Sequence, residues 1–107
     1  MTNAERVAEL TDVPIDIMKS AVTIVKMLGK LPPCDQIYSV DHGVALLWGD
    51  KSADFVYVYI FDENNKVVFY EECINGEHKE GGQSIGMLIL GLSAILEDRL
   101  KVISKRD

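Results

Sequence analysis

Apolar residues recur at helical spacing early in the chain and change to strict alternation in its middle. Ile17, Met18, Ala21, Val22, Ile24, Val25 and Leu28 share one face, while Asp16, Lys19, Ser20, Thr23, Lys26 and Lys30 share the other. That spacing predicts an amphipathic helix. It starts at the Asp12 to Pro14 signal, because proline is tolerated in a first turn, and stops at Gly29 with Pro32-Pro33 behind it. Upstream, Thr2 or Asn3 can cap a short helix from Ala4 to Leu10. Strands are predicted for Gln36 to Val40, Val44 to Trp48, Phe55 to Phe61 and Val67 to Glu72. The turn signals between them are Asp41-His42-Gly43, the polar Gly49 to Asp54 stretch and Asp62 to Lys66. Connections this short imply antiparallel hairpins, hence a meander of three to four strands. Asn75 to Gly82 reads as a polar loop, after which Ser84 caps a last helix running to about Ser104. Lys101, Lys105 and Arg106 lie near its carboxyl end, where cations favour the helix dipole. The expected fold class is α+β: an N-terminal helix or helix pair, the meander, and a C-terminal helix, in a single domain over 1–107. The helices are expected to pack on one sheet face.

Two faces are left over by this arrangement. In the strand from Phe55 to Phe61, Phe55, Tyr57, Tyr59 and Phe61 alternate with Val56, Val58 and Ile60. The aliphatic row suits packing beneath the helices, which puts the aromatics on the second face; the reverse assignment is the alternative. Aromatics are also simply good strand residues, so the row can be read without any function. In the last helix, Ile85, Met87, Leu88, Ile89, Leu90 and Leu92 leave almost no polar side. A helix apolar all round is central or meets a partner, and Gly86 and Gly91 suit close approach. Ile85, Met87, Ile89 and Leu90 are therefore the candidate homodimer interface.

Composition narrows the class. The 107 residues are 48% hydrophobic and 26% charged, which fits one packed domain and no second. The formal net charge is −6, unfavourable for gripping a phosphate backbone, so no direct nucleic-acid binding is expected. Charge is uneven along the chain. Residues 35–80 hold ten acids against three bases, a local net of −7, whereas both flanking segments are close to neutral. The acids include Asp50, Asp54, Asp62, Glu63, Glu71, Glu72, Glu77 and Glu80. A solvated, aggregation-resistant surface is the plain explanation; an acidic docking face is the functional one. Met1 to Leu10 lacks a basic region followed by an apolar one, and the longest apolar stretch, Ile85 to Leu96, is shorter than the roughly 20 residues of a membrane span. A cytoplasmic location without membrane insertion is expected.

Chemistry-bearing patterns are few. Gly82-Gln83-Ser84-Ile85-Gly86 matches a nucleophile elbow, but His42 and His78 both precede Ser84, the wrong order for the hydrolases that use it. Gly81-Gly82 lacks the following lysine and hydroxyl residue of a phosphate loop. Cys34, His42, Cys73 and His78 lack paired ligand spacing, so neither a metal nor any other cofactor is expected, and both cysteines read as reduced. Glu71-Glu72 and Asp62-Glu63 are adjacent in sequence, so on a strand each pair divides between two faces, poor geometry for acid–base catalysis. An enzyme is not expected.

Leu31-Pro32-Pro33, the stretch Asp41-His42-Gly43-Val44-Ala45-Leu46-Leu47-Trp48 and the strand from Phe55 to Asp62 together resemble small uncharacterised bacterial and phage proteins. These share a helix, a "DG…L-x-W" hairpin and an aliphatic-aromatic strand. The resemblance covers residues 31–70 at most. It implies a prokaryotic or mobile-element origin and brings no catalytic residues. The function expected is that of a small acidic inhibitor or adaptor, of anti-CRISPR, anti-defence or nuclease-immunity type. Asp50, Asp54, Asp62, Glu63, Glu71 and Glu72 would face a basic groove of a nucleic-acid-binding effector or nuclease, with Tyr57 and Tyr59 as anchors. The alternatives are a homo-oligomeric assembly protein and a small-ligand-binding domain with a pocket near Trp48.

Overall fold

The computed structural model describes residues 1–29, 31–41, 43–61, 67–84 and 96–103, with the backbone alone described at 61, 67, 68 and 81–84. Two helices, α1 (Asn3–Ala8) and α2 (Ile15–Met27), precede five strands. These are β1 (Gln36–Val40), β2 (Gly43–Gly49), β3 (Phe55–Phe61), β4 (Val67–Ile74) and β5 (Glu77–Ser84). A further helix, α3, occupies residues 96–103. The strands form one antiparallel sheet in chain order, a full meander of α+β class. No helix among the described residues is long and apolar enough to cross a membrane.

Local chemistry explains the helix ends. Thr2 is the α1 cap: its hydroxyl accepts from the Glu5 N–H, and the Glu5 carboxylate accepts from the Thr2 N–H, a reciprocal capping box. The Thr2 N–H, and after it the Thr2 hydroxyl beside the carboxylate, hold the Glu5 carboxyl below its ordinary range. Asn3 is no cap. It is buried, donating to the Pro32 carbonyl at 3.0 Å and accepting from the Cys34 N–H at 3.0 Å. Arg6 reaches the Cys34 carbonyl at 2.6 Å and the Trp48 indole donates to the Pro32 carbonyl at 2.8 Å. The proline-rich linker is thereby tied to both α1 and the sheet. Pro14 caps α2, and Gly29 ends it with φ at 88°, a conformation open to glycine. Along α2, Ala21, Ile24, Val25 and Leu28 are buried at the spacing of one helical face.

The core lies between this helical layer and one face of the sheet. Val44, Leu46 and Trp48 of β2 and Val56, Val58 and Ile60 of β3 pack with Ala4, Val7, Ala21, Ile24, Val25 and Leu28, joined by Leu96 and Leu100 of α3. The aliphatic row of β3 faces the helices, as expected.

The strand count differs from expectation. Residues 77–84 pair along the whole of β4, from Ile74 opposite Glu77 to Val67 opposite Ser84. Asn75 and Gly76, with φ of 58° and 76°, form the tight turn between them. Positive φ at both central residues is the hairpin geometry that matches strand twist, and Asn-Gly is its preferred sequence. The stretch expected to be a loop is therefore a strand, and Ser84, expected as a helix cap, ends it. Ile85, Met87, Ile89 and Leu90, the expected oligomer interface, lie outside the described residues.

Candidate functional face of the sheet

Register defines which side chains share the face away from the helices. Tyr38, Ala45, Tyr59 and Phe69 form one cross-strand row, and Gln36, Leu47, Tyr57, Glu71 and Glu80 form the next. A third row, nearer the Asn75-Gly76 turn, runs through Gly49, Phe55, Cys73 and His78. Among the described residues no helix packs on this face; its buried floor is Ala45, Leu47 and Phe55. Tyr38, Tyr57, Tyr59 and Phe69 are half-buried over that floor. The Tyr59 hydroxyl donates to the Asp41 carbonyl, which ties its ring to the turn between β1 and β2. Burial, reinforced by Tyr38, pushes the Tyr57 phenol up to about 12, and the Lys51 ammonium lies 4.1 Å from the centre of its ring. A cation over an aromatic face is attracted by the ring quadrupole.

The anticipated acidic group is divided by the fold. Glu71 lies on this open face, where its Oε2 is 2.9 Å from His78 Nε2. Glu72 does not: it turns to the helix side, is 3% exposed, accepts from the Tyr70 hydroxyl at 2.7 Å and pairs with Arg99 at 3.3 Å. Strand alternation is the cause, since neighbours on a strand point opposite ways. Asp50 and Asp54 stand in the loop between β2 and β3. The Asp50 carboxylate accepts from the Ser52 N–H and hydroxyl, and these bonds hold it below the ordinary range. The Asp54 carboxylate accepts from the Asn75 N–H at 3.0 Å, bracing one hairpin turn against the other. Asp62 and Glu63 lie outside the described residues, as does His42.

Tyr38 and Phe69 are residues of this face that the sequence reading does not single out, and that reading does not bring His78 and Glu80 beside Glu71. The Asn75-Gly76 turn carries the missing signal. Counting outward from a two-residue turn pairs Cys73 with His78 and Glu71 with Glu80, and so places all four on one side. The ligand pocket expected near Trp48 takes a different form. Trp48 is buried and hydrogen-bonded, whereas a cleft of about 430 Å³ opens between the start of α1, the end of α2 and the linker, lined by Asn3, Val25, Leu28, Leu31 and Pro33 over Leu46. Both cysteines are free: Cys34 is buried, which pushes its thiol up to about 12, and Cys73 is half-buried.

No family model matches the chain, and comparison with curated proteins and with solved structures gives no match.

Proposed function

We propose that this chain is a small acidic binding protein, an inhibitor or adaptor of phage or mobile-element type, that uses its open sheet face to cover a basic surface of a nucleic-acid-binding protein. The observation that carries the reading is the tyrosine and phenylalanine platform of Tyr38, Tyr57, Tyr59 and Phe69, bordered by Glu71 and Glu80 on the side where, among the described residues, no helix packs. Aromatic side chains with polar tips anchor interfaces well, since they bury large areas at little entropic cost. Acids at the border steer a cationic partner and reject an anionic one. The net charge of −6 extends that field over the whole molecule. Asp50 and Asp54, at the end of the sheet, contribute to the field and hold loop structure; Glu72, buried on the other side, has no part in it.

The test is affinity capture from a bacterial lysate in the presence of chelator, with the wild type, Tyr57→Ala and the pair Glu71→Lys with Glu80→Lys run in parallel. The expected outcome is a basic nucleic-acid-binding protein held by the wild type, lost from both variants, and released at about 0.5 M salt, where charge steering is screened. The captured protein, once purified, should lose nucleic-acid binding when this chain is added. The same proteins retained by all three baits would overturn the reading, and so would a captured protein that still binds nucleic acid normally.

A further inference from the structure

The hairpin of β4 and β5 brings together side chains of a kind that binds metal. Glu71 stands directly across from Glu80, and Cys73 across from His78, on the open face. One ligand atom from each of Glu71, His78 and Glu80 lies within 4.8 Å of the other two. Zinc bonds of about 2.0–2.2 Å to nitrogen and oxygen need ligand atoms roughly 3–4 Å apart, so from separations of up to 4.8 Å the side chains must close in by about an ångström. The three residues stand on paired strands rather than on loops, so their backbones are already positioned.

Electrostatics points the same way. Like charges directly opposite each other across two strands cost stability. Lys79 pairs with Glu77 and Arg99 with Glu72, all on the helix-covered side, and Lys51 lies over Tyr57, so none of these three cations is bridged to Glu71 or Glu80. The imidazole of His78 is the nearest counterpart, and it is also the ligand that separates a borderline transition ion from magnesium or calcium, which favour oxygen alone.

We infer that Glu71, His78 and Glu80 form a binding site for a divalent first-row transition ion of the zinc class, with water completing the coordination. The ion replaces a repulsive pair by two attractive ones and fastens β5, an edge strand weakened by Gly81 and Gly82, to β4. The site needs no partner; a bound ion cancels the charge of Glu71 and Glu80, so the docking reading refers to the metal-free chain.

Calorimetric titration of the metal-free full chain tests it, with Zn2+ and Mg2+ as separate probes. The expected result is one Zn2+ per chain, bound at least about tenfold more tightly than Mg2+ and accompanied by a rise in Tm. His78→Ala and Glu80→Gln should each weaken Zn2+ binding by about tenfold or more, while Cys73→Ser leaves it in place. Glu80→Gln relieves the like-charge pair, so it stays folded and its result is interpretable, with far-ultraviolet circular dichroism as the check. No saturable Zn2+ binding in the micromolar range would overturn the site. Full-strength binding by His78→Ala, or binding abolished by Cys73→Ser, would overturn it equally. Because no partner is present, these outcomes are separate from those of the capture experiment, which is run in chelator and reads Tyr57 as well as the acids.

Discussion

Glu71 and Glu72 are neighbours in the chain and occupy opposite environments. The first faces solvent and an imidazole. The second is enclosed between the sheet and α3, where one carboxylate oxygen takes both the Tyr70 hydroxyl and the Arg99 guanidinium. Charge counting along the sequence cannot separate them; burial does. A carboxylate enclosed in this way depends on its partners, because an unpaired buried charge costs more than a pair contributes. Arg99→Ala removes the guanidinium and leaves the Tyr70 hydroxyl bond in place. Since Arg99 is itself partly open to water, the expected loss is about 2–3 kcal/mol rather than the upper end for a fully enclosed pair. Urea unfolding measures it. Glu72→Gln combined with Arg99→Ala should cost less than the sum of the two single changes, the mark of direct coupling.

At the scale of elements, the β2–β3 and β4–β5 connections set the register that builds both faces, and two glycines, Gly49, which ends β2, and Gly76, in the β4–β5 turn, differ in what they tolerate. Gly76 has φ of 76°, and a Cβ added there would meet nothing within 4 Å, so Gly76→Ala pays only the backbone cost of about 1–2 kcal/mol. Gly49 has φ of 89°, and its Cβ would lie 2.4 Å from the Asp54 carbonyl oxygen. Gly49→Ala should therefore be clearly the more destabilising of the two, and denaturant midpoints compared side by side will show it. Equal midpoints would mean that the loop between β2 and β3 yields freely. The same turns explain what is legible in the sequence. α2 and β3 can be read directly because each repeats its own period cleanly over a full element. β5 cannot be read that way: four charged or imidazole residues and two glycines make a poor strand by propensity, and pairing with β4 overrides that preference. The Asn75-Gly76 dipeptide states the hairpin, yet its flank on one side lacks apolar alternation to confirm it. So Tyr57 and Tyr59 follow from β3 alone, Tyr38 and Phe69 from the pairing of β1 and β4 into the sheet, and His78 and Glu80 only from the register of the hairpin.

The molecule as a whole has two chemically different sides and stores weak acids in both. Cys34 lies in the helix-side core, Tyr70 at its border beside Glu72, and Tyr57 on the open face. Burial is the leading cause in all three of a pKa raised above its ordinary value, from 9.0 to about 12 for the thiol and from 10.0 to about 12 for Tyr57, with Tyr70 raised as well. Below the ordinary values both the folded and the unfolded chain keep these protons, so the contribution of the three groups to stability is complete. Above them the unfolded chain releases protons that the folded chain retains, and stability falls with each step of pH. The decline should begin near pH 9 with the thiol, steepen near pH 10 with the phenols and run on to about pH 12. Thermal unfolding followed from about pH 8 to 11 reads it. Cys34→Ala should remove the earliest part of the fall and leave the later part intact, whatever its effect on Tm at neutral pH, because the thiol has the lowest ordinary value of the three raised groups. A Tm that stays level across the whole range would show that these groups ionise alike in the folded and unfolded chain, and that neither side of the sheet shields them from water.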